Sequence, residues 1–298
     1  MGKYYFECSN VFRNALLLST LLSNSDAWYN ITDKEIKELE SVDEMLLRKV
    51  LSAHSKTALE LLYLETGNIP IRFILKSRRL TFLHYILNEE EDSLIHKFFT
   101  AQCKHPVKGD WVLTVKQDLE DLNINLSFDQ IKNTSKVVFK ELVKEKVKTS
   151  AFIMLTNIQQ THSKAKSLQY ERLELQDYLK SNNAMNIREK SFLFALRSRM
   201  IHVKGNFKTG LADLKCRNCH ESDEDQEHLL SCPALSDNSV LNTGSIPEYK
   251  DLFSNDVQKI ENIGKILMSK FKMFNSINVT MCAGSNHALL QTQLQIWN

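Results

Sequence analysis

Cys216, Cys219, His228 and Cys232 fall in the pattern C-x2-C-x8-H-x3-C, four soft ligands delivered by one short stretch of chain. Three thiolates and an imidazole suit tetrahedral Zn²⁺ better than other common ions. Cys216 and Cys219 can clasp an ion from a tight turn, while His228 and Cys232, four apart, share one face of a helical turn. A four-ligand site is closed and leaves no position for a substrate, so the predicted Zn²⁺ is structural and not catalytic. His220 is a rival fourth ligand, disfavoured because it adjoins Cys219 and could reach the same ion only through a strained loop. Cys8, Cys103 and Cys282 stand singly, as ordinary core or surface thiols do. The sparse cysteines and the lack of an apolar leader argue against a disulfide framework. They predict an intracellular location, cytoplasmic or nuclear.

The second candidate chemistry is cationic. In a helix predicted over 71–87, at about 100° per residue, Ile74, Leu75, Phe82, Tyr85 and Ile86 share one face and Phe73, Leu80 and Leu87 the opposite one. Arg72, Lys76 and Arg79 lie in the strip between the two faces, and Arg78 lands inside the first. A guanidinium among apolar side chains needs a carboxylate, carbonyl or phosphate partner. Arg197 and Arg199 are interleaved in the same way with Phe192, Phe194, Leu196, Met200 and Ile201. These six basic residues are the candidate nucleic-acid contacts, through phosphates, and internal ion pairing or snorkelling to solvent is the competing reading. Glu221, Asp223, Glu224, Asp225 and Glu227 crowd the loop between the two ligand pairs, offset only in part by Lys215 and Arg217. That loop is expected to face solvent or a basic partner, so that replacing Glu224 and Asp225 by Ser leaves RNA affinity unchanged or raised.

Helices must position these groups. Only 8 Gly and 4 Pro in 298 residues argue against a turn-rich all-β chain, and 43% apolar residues suffice for sizeable cores. Helical spacing predicts elements over 33–51, from a Thr57/Glu60 capping box to Gly67, over 70–87, over 93–102, from an Asp110 cap to Leu122, and over 135–160. In the last of these Val138, Leu142, Phe152 and Leu155 are the expected buried positions. Further helices are predicted over 168–179, 188–201 and 257–272, with Gly205 and Gly210 punctuating the approach to the cysteines. Residues 233–247 look loop-like, and the uncharged stretch 273–298 has no helical period and is expected to be poorly ordered. No segment approaches the roughly 20 apolar residues that cross a bilayer, and no membrane partner or small-molecule substrate is expected. The formal net charge of +2 gives no general case for nucleic acid, so any such contact must come from local clusters.

Several strings add a resemblance. Asn14-Ala-Leu-Leu-Leu-Ser-Thr-Leu-Leu, Ser25-Asp-Ala-Trp-Tyr, Leu61-Leu-Tyr-Leu-Glu, Ile69-Pro-Ile-Arg, Arg78-Arg-Leu-x-Phe-Leu-His-Tyr-Ile-Leu, Leu175-Gln-x-Tyr-Leu, Leu196-Arg-x-Arg-Met and the cysteine-histidine motif occur in this order. The order resembles the region downstream of the polymerase core in non-LTR (LINE-type) retrotransposon reverse transcriptases, over roughly residues 10–272. The resemblance implies an all-α chain: a thumb-like helical region over 1–90, a helical connection over 91–205, a CCHC zinc knuckle over 206–245, and a C-terminal helix and tail over 246–298. It also implies an RNA or DNA template or target as partner. A polymerase needs palm carboxylates for two metal ions, yet the sequence has no Asp-Asp pair and no Tyr-x-Asp-Asp signature. The expected function is therefore non-catalytic. The alternatives are a helical scaffold with structural zinc for a protein partner, and a nonfunctional mobile-element fossil.

Overall fold

The computed structural model describes residues 5–207, 213–235, 248–254 and 256–281, and the side chains of these up to 275. Twelve α-helices carry the described chain: α1 Tyr5–Phe12, α2 Leu18–Leu21, α3 Asp33–Leu51, α4 Leu59–Thr66, α5 Ile71–Leu87, α6 Leu94–Lys104, α7 Trp111–Asp121, α8 Phe128–Asn133, α9 Lys136–Thr161, α10 Ile187–Arg197, α11 His228–Ser231 and α12 Val257–Met281. Among the described residues the only β pairings are isolated bridges, so the all-α expectation holds. No described helix is long and apolar enough to cross a membrane.

Local signals explain most boundaries. Thr32 and Glu35 form a reciprocal capping box at the start of α3, as do Ser127 with Gln130 and Asn186 with Glu189 at α8 and α10. Ser93 and Ser135 cap α6 and α9. The Thr57/Glu60 box does not form: α4 starts behind Ala58 instead, and the Thr57 hydroxyl is buried without a partner. Asp110 precedes α7 but its carboxylate accepts from Val107 N at 2.7 Å instead of capping the helix.

Helix α5 is the axis of the body. It packs against α3, α7, α8 and α9 and against the 3₁₀ turn Ser25–Ala27. Phe73, Leu75, Leu80, Leu83, Ile86 and Leu87 are all buried, so the prediction of a helix covered on two sides holds, with Tyr85 left exposed as the exception. On α9 the buried stripe is Phe139, Val143, Val147, Ala151 and Leu155, at strict spacings of four. Val138 is 60% exposed, one residue off that stripe, and Leu142 and Phe152 flank it half-buried. One contiguous set of buried side chains runs from Phe6 through α5 and α9 to Cys216, Cys232 and Phe274, passing through the segments 1–90, 91–205 and 206–245 without a break.

Between α1 and α2, residues Arg13–Leu17 widen into a π-helical turn, and this turn directs Arg13 inward. Its guanidinium forks onto both Asp43 oxygens at 2.6 Å each and donates to Asn68 Oδ1 and Ile69 O, while Tyr63 OH reaches the same carboxylate at 3.2 Å.

The predicted helix over 168–179 is absent. Its backbone is drawn into extended pairing with the end of α4: Leu175 bridges Thr66, Gln176 N donates to Glu65 O at 3.0 Å, and only Asp177–Leu179 makes a 3₁₀ turn. The last carbonyls of a helix lack internal partners, and this segment supplies donors to them, which outweighs its own weak helical pattern. Gly67 makes the approach possible. It sits at φ +67°, and a Cβ there would lie 2.3 Å from the Glu174 carbonyl carbon and from Leu175 N. Gly67→Ala is therefore expected to destabilise the fold by at least about 2 kcal/mol, from left-handed strain plus backbone overlap. Urea unfolding measures this, and a loss below about 0.5 kcal/mol would contradict the packing described.

Helix α10 ends at Arg197, short of the predicted Ile201, because Arg199 turns left-handed at φ 53°. Helix α12 runs on to Met281, past the predicted end at Lys272: Phe274 is fully buried and anchors the extension. The predicted tail beyond Met281, the loop over 236–247, Gly210 and Cys282 lie outside the described residues.

Candidate metal centre

The segment from Leu214 to Leu235 is a turn closed on a short helix. Glu224 N donates to Leu214 O, Cys216 N donates to Ser222 O at 2.7 Å, and Lys215 bridges Asp223, so the chain doubles back and presents Cys216 and Cys219 from its tip. His220, at φ 60°, closes the turn with its N–H on Cys216 O at 2.9 Å. Asp225 Oδ1 accepts from His228 N at 2.7 Å and starts α11, which carries His228 and leads into Cys232.

The ligand atoms of Cys216, Cys219, His228 and Cys232 all lie within 4.8 Å of one another. Cys216 Sγ is 3.9 Å from Cys232 Sγ, and Cys219 Sγ is 3.2 Å from His228 Nε2. A tetrahedron with metal–sulfur bonds of about 2.3 Å has edges of about 3.8 Å, so the four atoms are close enough to hold one metal ion. His220 is exposed and belongs to the turn, which leaves His228 as the fourth ligand.

The thiols differ in environment. Partial desolvation pulls the Cys219 thiol up, but N–H groups of Glu221 and Ser222, with Cys216 and His228 beside it, pull it down further, to about 6. Burial pushes the Cys232 thiol up to about 12, and the facing Cys216 sulfur adds to the shift. Sulfurs this close resist joint ionisation until a cation offsets their charge.

The acidic loop faces solvent only in part. Glu224 is 1% exposed, and its carboxylate forks onto the Arg217 guanidinium while accepting from Arg217 N at 3.1 Å and Lys204 N at 3.0 Å. Glu227 pairs with Arg199 at 2.8 Å. Gly205 lies against this loop, its N–H on Glu224 O at 2.7 Å, where a Cβ would meet Asp225 Cβ at 2.9 Å. Exposed acids remain at Glu221 and Asp223. A serine at 224 would take the acceptor from the half-buried Arg217 guanidinium and from the N–H groups of Arg217 and Lys204, so that substitution reports on folding rather than on charge.

Buried amides tie the turn to the body. Gln226 is fully buried, donates to Leu196 O at 3.0 Å and to Tyr249 OH at 2.6 Å, and accepts from Asn206 Nδ2 at 2.9 Å. The Arg217 guanidinium lies 4.8 Å from the Phe274 ring of α12. Nothing in the residue spacing revealed these ties, because the partners come from distant segments.

The six candidate phosphate contacts are engaged inside the chain. Arg72 forks onto Glu40, at 2.9 and 2.8 Å. Lys76 pairs with Asp121 and lies 3.9 Å from Asp118. Arg79, 7% exposed, forks onto Asp118 at 2.6 and 3.0 Å. Arg78 donates to Leu22 O and to Ser25 Oγ at 3.2 Å, holding the 3₁₀ turn onto α5. Arg197, 2% exposed, donates to Glu65 Oε1 at 3.0 Å and Leu252 O at 2.7 Å and lies over the Tyr178 ring. Arg199 pairs with Glu227 and lies over the Tyr249 ring. The competing reading of internal ion pairing describes five of the six, and Arg78 is held by a carbonyl and a hydroxyl instead.

Compared with known protein families, curated proteins and solved structures, the chain matches none.

Proposed function

We propose that the chain is a non-catalytic helical module in which Cys216, Cys219, His228 and Cys232 hold one structural Zn²⁺ ion, and that it contacts RNA or DNA in the manner its likeness to the downstream region of non-LTR retrotransposon reverse transcriptases implies. The observation that carries the metal half is the convergence of three sulfurs and one imidazole nitrogen within 4.8 Å, two of the cysteines in the hydrophobic core. Three thiolates favour zinc over hard cations, and four protein ligands complete a structural site. The ion would neutralise the facing sulfurs and fix α11 against α12. The nucleic-acid half is supported by the ordered strings alone, and the six basic residues, engaged inside the chain, add nothing to it. A second reading, a scaffold for a protein partner, is favoured by Val11, Phe12 and Leu16, which stand 66%, 51% and 56% exposed near one another on the first helical segment.

The test is metal analysis of the purified full chain, with Co²⁺ exchanged for the native ion. One zinc per chain and a cobalt spectrum with tetrahedral and thiolate charge-transfer bands are expected. Octahedral cobalt, or no bound metal after expression in zinc-supplemented medium, would refute the site.

A further inference from the structure

With five of the six expected cations paired with carboxylates and Arg78 held by Leu22 O and Ser25 Oγ, further positive charge lies at other positions. Three loops meet beside the Cys/His turn: 52–58 between α3 and α4, 162–168 after α9, and 198–207 leading from α10. They bring His54, Lys164 and His202 around the half-buried ring of Phe207, with Lys56 close enough to act on His54 and Lys164. The His54 and His202 rings lie 5.4 and 5.9 Å from the Phe207 centroid, and Lys164 Nζ lies 5.3 Å above it while donating to Asn206 O. Lys56 and His202 are exposed.

Among the described residues no carboxylate forms an ion pair with Lys56, Lys164, His54 or His202, nor with the neighbouring Arg48, whose guanidinium holds the carbonyls of His54 and Thr57. Acids on the neighbouring segments are engaged with other groups: Glu60 is buried against His162, Glu224 is buried against Arg217, and Asp213 pairs with Lys204. The basic groups also act on one another. Burial, then Lys56, His202, Lys164 and Arg48, hold the His54 imidazole below its ordinary range, and burial, then Lys56 and Arg199, lower Lys164. A cluster kept in mutual repulsion at a surface gains when an anion arrives.

We propose that His54, Lys56, Lys164, His202 and Phe207 form a binding site for a single strand of nucleic acid, in which the lysines and imidazoles take phosphate oxygens and the Phe207 ring takes an unstacked base. A single strand fits better than a duplex, because only an unpaired base offers its face to an aromatic ring, and ring stacking beside a basic track is how such strands are held without sequence preference. The inference rests on the nucleic-acid half of the proposed function and is independent of the metal half.

The experiment measures binding of the zinc-loaded full chain to fluorescein-labelled oligouridylate, with a duplex of equal length and poly-L-glutamate as competitors. Lys56→Glu together with His202→Glu, both at exposed positions, is expected to weaken binding at least about ten-fold and to flatten the salt dependence by about 0.7 in slope for each phosphate no longer neutralised. Phe207→Ala is expected to weaken it about ten-fold by removing the stacking ring. Lys140→Glu, at an exposed lysine of α9 that forms no ion pair among the described residues, serves as the control and should change little. Equal affinity for wild type and the double variant, or no binding by wild type, would overturn the site. Competition by poly-L-glutamate as strong as by unlabelled oligouridylate would overturn it in favour of an acidic peptide. Each variant is also assayed for bound zinc and thermal melting, so a failed nucleic-acid site is distinguishable from a failed metal site.

Discussion

Stripping the metal with a chelator at pH 7, or replacing Cys216 by Ser, is expected to lower the melting transition sharply and to unlock the segment from Leu214 to Leu235 together with α12. Cys216 and Cys232 are core residues, 0% and 2% exposed, so losing the ion leaves facing sulfurs in a site that water does not reach. Structural zinc contributes about 10 kcal/mol or more of apparent binding free energy in isolated zinc-finger peptides, and here that energy is linked to folding of the same chain. The loss should be several kcal/mol and not the whole amount, because Glu224, Asp225 and Gln226 hold the turn through bonds that need no metal. Hydrogen exchange gives the spatial readout: amides of 214–232 and the second half of α12 should lose protection first, while α5 and α9 keep theirs. An unchanged melt after verified metal removal would show that the ion has no structural role.

Arg197→Met is expected to cost about 3 to 5 kcal/mol, the range for breaking a buried ion pair from one side. Glu65 is fully buried and its Oε1 takes Arg197 Nε and Tyr170 OH at 3.0 and 2.7 Å, while Oε2 has no partner. Removing the guanidinium leaves a carboxylate in the core with one phenol as its donor, and also frees Leu252 O. Arg197→Lys should recover little, because an ammonium cannot reproduce the planar fork that spans Glu65 and Leu252. Glu65→Leu combined with Arg197→Met removes both charges, and it should be clearly more stable than Arg197→Met alone. Guanidinium titrations of the single and double variants close the cycle. A loss below about 1 kcal/mol for Arg197→Met would contradict a stabilising buried pair. The same substitution separates the two readings of this arginine: as a buried pair its removal acts on stability, whereas a phosphate contact would act on affinity in a chain of normal stability.

The ordered strings gain a physical meaning from these contacts. Leu61–Glu65, Leu175–Leu179 and Leu196–Met200 are far apart in the chain, yet they meet at the Glu65–Arg197 pair and the Tyr178 ring. Asn14–Leu22, the turn at Ser25 and Arg78 meet in the same way, through Arg78 donating to Leu22 O and Ser25 Oγ. Glu65, Arg197 and Arg78 find their partners in one another's strings or in the neighbouring segments. A sequence shows such residues as basic or aromatic and cannot show that each has a partner.

From the sequence alone, the helices and the ligand set were legible because both depend on short spacings: three and four along a helix, two and three between metal-binding side chains. The elements α3, α5, α6 and α9 stand close to their predicted positions, and His228 could be preferred to His220 for the same local reason. What tertiary structure decided is what depends on partners remote in the chain. It turned 168–179 from a helix into a strap that satisfies the end of α4, buried Glu224 in an acidic loop, and neutralised Arg72, Lys76, Arg79, Arg197 and Arg199 with carboxylates from other segments. The same long-range packing placed Lys164 and His202 at the Phe207 ring with Lys56 near Lys164, although 146 positions separate Lys56 from His202. Side-chain type and spacing fix what a residue is able to bind, and only the packed chain fixes whether that capacity is already used.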